Sequence, residues 1–119
     1  DPSKRPAISG AMARTVEYFI GEKEWEAGEE QWQQWQARYP TDFLEGYSVL
    51  LRTRLMALRG FQSEAAAVAG AFATAVPESS YAPRLLHYAS ELLKERDPQR
   101  SQSLRALLRE RYPEDPLAQ

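Results

Sequence analysis

Three proline joints at nearly constant spacing constrain this chain more than any other feature. The segments Arg38-Tyr39-Pro40-Thr41-Asp42, Ala75-Val76-Pro77-Glu78-Ser79 and Arg111-Tyr112-Pro113-Glu114-Asp115 end alike, and their prolines are 37 and 36 residues apart. Each joint has the same logic. An apolar or aromatic residue closes a helix. Proline then stops it, because it lacks an N–H and clashes with the preceding turn. The Asp or Ser two residues later can accept from the free N–H groups of the next helix as its N-cap. A chain punctuated in this way folds as successive short units.

The register holds between the joints. Gly28, Ala65 and Ser101 keep the same 37 and 36 spacing, as do Trp35, Phe72 and Leu108. So do Met12, Val49 and Leu85, then Val16, Thr53 and Ala89, and then Phe19, Met56 and Leu92. The apolar members recur at three- and four-residue steps, which is one face of a helix. Each unit splits into two helices. The first helices are expected over 8–21, 43–59 and 80–95, and the second over 24–39, 62–76 and 98–112. Turns separate them at Gly21-Glu22-Lys23, Arg59-Gly60 and Arg96-Asp97-Pro98. Asp97 is placed to cap, and Pro98 sits at the first helical position, where a missing N–H costs nothing. Composition agrees with helices throughout: seventeen alanines stand against ten valines, isoleucines and threonines together.

The small residues have a physical reason. Where two helices of a hairpin cross closely, a side chain larger than alanine holds the backbones apart. Gly28, Ala65 and Ser101 would let each second helix settle on the first. The large residues would then fill the layers between hairpins. Trp25, Trp32, Trp35 and Tyr39 run down one face of a second helix, and their helical spacing reads as core packing. A carbohydrate or aromatic-ligand platform is the alternative for the same three tryptophans.

Several function classes are disfavoured. There is no cysteine and one histidine, His87, so neither a disulfide framework nor a common zinc site is expected. No Gly-rich phosphate loop is present among the six glycines. The carboxylates Glu22, Glu24, Glu26, Glu29 and Glu30 suit the positive end of a helix dipole better than an acid–base pair or a calcium loop. A formal net charge of −2 disfavours bulk binding to nucleic acid, despite Arg52, Arg54 and Arg59 on one helix and Arg100, Arg105, Arg109 and Arg111 on another. No apolar run reaches the length of a membrane span. The reading is therefore non-enzymatic, with no catalytic residues, cofactor or metal.

The paired helices, the small residue early in the second helix and the proline near its end resemble the tetratricopeptide repeat family, whose unit is about 34 residues. The resemblance runs from about Ser9 to Asp115. The family's tryptophan and Leu-Gly pair of the first helix are missing, and the units are two or three residues longer than the standard. The Tyr-Pro joint followed by alanine, as at Tyr81-Ala82 and Leu117-Ala118, is similar to a bacterial envelope branch. That branch includes the tetratricopeptide lipoprotein of the outer-membrane β-barrel assembly machine and the periplasmic TolA-associated coordinator of envelope division.

The expected fold is all-α: one domain over 1–119 of stacked antiparallel helical hairpins, a right-handed α-solenoid fragment. Its repeats run roughly 8–41, 42–78 and 79–114, with 115–119 the start of a next unit or a tail. The sequence begins without Met and closes like the opening of another unit, so it is expected to be an excerpt of a longer array. In such a stack the first helices line the concave face. The expected groove residues are Glu17, Tyr47, Leu50, Arg54, Leu86, His87, Ser90 and Lys94. They would receive a protein or peptide partner with acidic groups, arginine supplying paired hydrogen bonds. The resemblance implies a larger bacterial envelope or scaffold protein, periplasmic in setting, able to self-associate through exposed repeat ends. The family's Asn-based carboxylate clamp does not carry over, because the chain has no asparagine. The alternative is a cytoplasmic regulatory helical domain attached to an enzyme or transcription factor.

Overall fold

The computed structural model describes residues 5–39 and 46–119, with side chains from Ser9 onward. Pro40 and Thr41 of the first proline joint, its expected cap Asp42 and the expected helix start at 43 lie outside the described residues. Six helices follow in pairs: α1 (Arg5–Gly21) with α2 (Trp25–Arg38), α3 (Tyr47–Leu58) with α4 (Gln62–Ala75), and α5 (Ala82–Leu93) with α6 (Pro98–Arg111). A 3₁₀ turn at Pro116–Ala118 closes the chain. No strand occurs among the described residues. The fold is all-α, three stacked antiparallel helical hairpins measuring 46 × 29 × 21 Å.

The helix ends have local causes. Asp97 Oδ1 accepts from the N–H of Arg100 at 3.2 Å, with Pro98 at the first helical position, so α6 starts as expected. Ser79 differs from the expected cap. Its Oγ accepts from the N–H of Tyr81 at 3.2 Å, and α5 begins one residue later. The side chain therefore shapes the turn ahead of the helix. Asp115 does the same for the final turn, accepting from the N–H of Leu117 at 2.9 Å. Gly46, ahead of α3, has a φ of 98°. A Cβ there would lie 2.8 Å from the Phe72 ring and 2.9 Å from Ser79 Oγ. Both the left-handed backbone and the close approach require glycine.

Packing explains the repeated positions. Gly28 is buried, Ala65 is fully buried and Ser101 is 3 % exposed. A Cβ on Gly28 would come 2.5 Å from Leu55 Cδ2 and 3.5 Å from Phe19 Cβ. Its tightest neighbour is thus on the next hairpin, which corrects the expectation that the small residue serves the crossing within its own hairpin alone. Ser101 does serve its own hairpin, donating from Oγ to the Ser90 carbonyl at 2.8 Å.

Two core clusters result. Ala13, Val16, Trp35, Tyr39, Leu51 and Leu55 form one, joining α3 to the first hairpin. Leu50, three alanines of α4, five residues of α5, Leu108 and Ala118 form the other. Helix α3 feeds both, sending Leu51 and Leu55 one way and Leu50 the other. The alanines at 66, 69 and 73 let α5 lie close against α4. The two joints are built differently: α3 packs on both helices of the first hairpin, whereas α5 packs chiefly on α4.

Candidate functional site

The first helices of the hairpins carry the expected groove residues. The structure divides those residues into three sets. Leu50, Leu86 and Ser90 are interior, at 1 %, 0 % and 0 % exposure. This corrects their placement on an open face. Ser90 Oγ donates to the His87 carbonyl at 2.7 Å, so its hydroxyl is committed to the backbone. These three support the row of helices from beneath.

Glu17, Tyr47 and Arg54 form the second set, all half-buried. Glu17 and Tyr47 line one open depression between α1 and α3, together with Gly10, Ala13, Arg14 and Trp35. Gly10, which has no side chain, and Ala13, which has only a methyl group, leave the space. Trp35 is 3 % exposed and held by its indole N–H, which donates to Ser9 Oγ at 2.7 Å. Its ring meets Tyr47 edge-on at 6.4 Å, and Tyr47 meets Tyr81 at 5.2 Å. An aromatic run therefore crosses from the first hairpin to the third. Arg54 acts on Tyr88 from the same row. Burial pushes the Tyr88 hydroxyl above its ordinary pKa, and the nearby Arg54 charge opposes that rise. Among the described residues no carboxylate pairs with Arg54.

His87, in the middle of α5, and Lys94, at its C-cap, make the third set. His87 Nε2 lies 3.7 Å from Glu91 Oε1, which also accepts from Arg105 at 2.8 Å. These groups edge a shallow depression with Leu108, Leu117 and Ala118. Lys94 is exposed at the α5 C-cap. The expected residues thus fall at two places and not in one continuous groove. Arg14, Tyr81 and Tyr88 belong with them and were not foreseen. The spacing of Tyr81, Arg84 and Tyr88 along one helix face was the available signal.

The other motifs resolve as follows. Trp35 is core, whereas Trp25 and Trp32 are half-buried. Arg52 and Arg59 lie over those two indoles, away from Arg54, so the arginines of α3 do not form one patch. Among the described residues no group of three or more histidines, aspartates or glutamates could hold a metal ion. No helix among them is long and apolar enough to cross a membrane. In comparisons with known proteins, no family model, no curated protein and no solved structure matches the chain.

Proposed function

We propose that the chain is a non-catalytic interaction module of tetratricopeptide-repeat type. Its row of first helices receives an extended or helical segment of a partner protein that carries acidic groups. The observation behind this reading is the position of Arg54. It is half-buried on α3, beside Tyr88 and on the row that holds Tyr47, with no carboxylate partner among the described residues. A guanidinium already partly removed from water gains more from an incoming carboxylate than a solvated one does. Tyr47 and the depression beside it would seat an apolar anchor, since aromatic residues in such pockets carry much of the energy at interfaces. Glu17 would take a cationic group at the same end, and Lys94, at the second place, would add attraction for acidic groups from the α5 C-cap. The proline joint followed by a buried alanine supports a setting in a larger bacterial envelope or scaffold protein; Ala82, after Val76-Pro77, and Ala118, after Tyr112-Pro113, are 0 % and 7 % exposed.

An array of acidic peptides and their amide counterparts, probed with the labelled chain, tests this. Acidic peptides should be retained over the amides, and the folded double variant Arg54→Glu, Lys94→Glu should lose them. Retention unchanged in that variant contradicts the reading.

A further inference from the structure

The seam between α2 and α3 carries a second arrangement, separate from the row of first helices. Arg52 and Arg59 stand seven residues apart, on one side of α3 and its C-cap. Each guanidinium lies over an indole: Arg59 is 4.6 Å from the Trp25 ring centroid and Arg52 is 5.5 Å from that of Trp32. Trp32 is anchored through its indole N–H, which donates to the Ser48 carbonyl at 2.9 Å. The two pairs flank an open depression lined by Leu55 and Met56 and edged by Phe61, which is 45 % exposed.

The two arginines differ in one respect. Arg59 Nη1 donates to both carboxylate oxygens of Glu29, at 3.1 and 3.5 Å. No carboxylate among the described residues pairs with Arg52. The Arg59–Glu29 pair therefore shows, within the same seam, what a carboxylate does at an indole-backed guanidinium. Arg52 presents the same donors in the same setting. Stacking on an indole holds the planar group in place, so less freedom is lost when it pairs with a carboxylate.

We propose that this seam is a second docking site, for a partner segment in which a bulky apolar side chain adjoins a carboxylate. The carboxylate pairs with Arg52 over Trp32. The apolar side chain covers Met56 against Phe61. Glu29 sets the direction, because its charge repels a second carboxylate from the Arg59 end. Arg54 lies about 200° around α3 from Arg52, so this site does not depend on the function proposed for the first helices.

The test uses the full chain and two capped, fluorescein-labelled hexapeptides. One has phenylalanine followed by glutamate at its centre, and the other has glutamine in place of glutamate. Fluorescence anisotropy should show saturable binding of the glutamate peptide and binding about ten-fold weaker for the glutamine peptide, the loss of one charged pair. Arg52→Gln should reduce the glutamate peptide to the level of the amide, while Arg96→Gln, at an exposed residue of the α5–α6 turn, should leave it unchanged. Arg52 is exposed, and circular dichroism checks that the variant is folded. The Trp25 and Trp32 indole N–H resonances should move on titration. Equal affinity for both peptides, no effect of Arg52→Gln, no saturation at millimolar peptide, or shifts confined to Tyr47 and Tyr88 would each overturn the proposal. Indole shifts lost with Arg52→Gln but kept with Arg54→Glu assign the binding to the seam; the reverse assigns it to the first helices and overturns the proposal.

Discussion

The Tyr112 hydroxyl donates to the Pro77 carbonyl across 2.6 Å. The two residues belong to successive proline joints, so the end of the third hairpin is tied directly to the end of the second. A proline cannot donate, but its carbonyl still accepts. Tyr112→Phe removes this bond with little change in shape. We expect a loss of about 0.5–1 kcal/mol, the usual net value of one hydrogen bond. An unmoved thermal midpoint would show that the tie contributes nothing.

Gly28 separates two opposing effects. Alanine in a helix interior is favoured over glycine by about 1 kcal/mol. At Gly28 a Cβ would meet Leu55 Cδ2 at 2.5 Å, and Leu55 is itself buried. The clash should win: Gly28→Ala destabilises, and Gly28→Leu costs about 1–3 kcal/mol or more through overpacking. Gly21 has nothing within 4 Å of a built Cβ, so Gly21→Ala should stabilise by about 0.5–1 kcal/mol. Urea midpoints moving in opposite directions for the two alanine variants would confirm the contrast.

Lys23 adopts a φ of 60° in the α1–α2 turn, where Gly60 has 95° in the α3–α4 turn. The two are 37 residues apart, the spacing of the first two repeats. The left-handed region costs a side-chain-bearing residue about 1 kcal/mol. Lys23→Gly should therefore stabilise by up to that amount, while Gly60→Ala should destabilise by a similar amount. Thermal melts of the two single variants check both signs.

Tyr88 predicts a pH effect. Burial raises its folded-state pKa above the ordinary value of 10.0, and Arg54 partly offsets the rise. A raised pKa means that the folded state holds the proton more tightly than the unfolded one. Its contribution to stability is complete below about pH 10 and is lost as pH rises through the folded-state value. Tyr88→Phe should flatten this alkaline loss, and Arg54→Ala should move the Tyr88 titration further upward. Urea unfolding across the alkaline range, with ultraviolet titration of the phenolate, measures both.

The helices were legible because proline joints and three- and four-residue steps report local geometry directly. The interior positions of Leu50, Leu86 and Ser90 were not. Periodicity says which residues share a face, but not how many neighbours the helix has. α3 is packed on both sides, with Leu51 and Leu55 in one cluster and Leu50 in the other, so only positions such as Tyr47, Arg52 and Arg54 are left to face a partner. Ser90 points at the crossing with α6, where its carbonyl accepts from Ser101. The tryptophans of α2 teach the same lesson. A single stripe of spacing covers Trp35, which is core, and Trp25 and Trp32, which are half-buried beneath arginines. Only the tertiary approach of α3 divides them.

The proposed binding of an acid-bearing segment to the row of first helices rests on Arg54. Titrating the ¹⁵N-labelled chain with an acidic peptide retained on the array tests it most directly. Amide shifts are expected at Tyr47, Arg54 and Tyr88, with α6 unmoved, and should be lost in the folded Arg54→Glu, Lys94→Glu variant. Shifts confined to α2, α4 or α6, or shifts at Tyr47 and Tyr88 that persist in that variant, would contradict it.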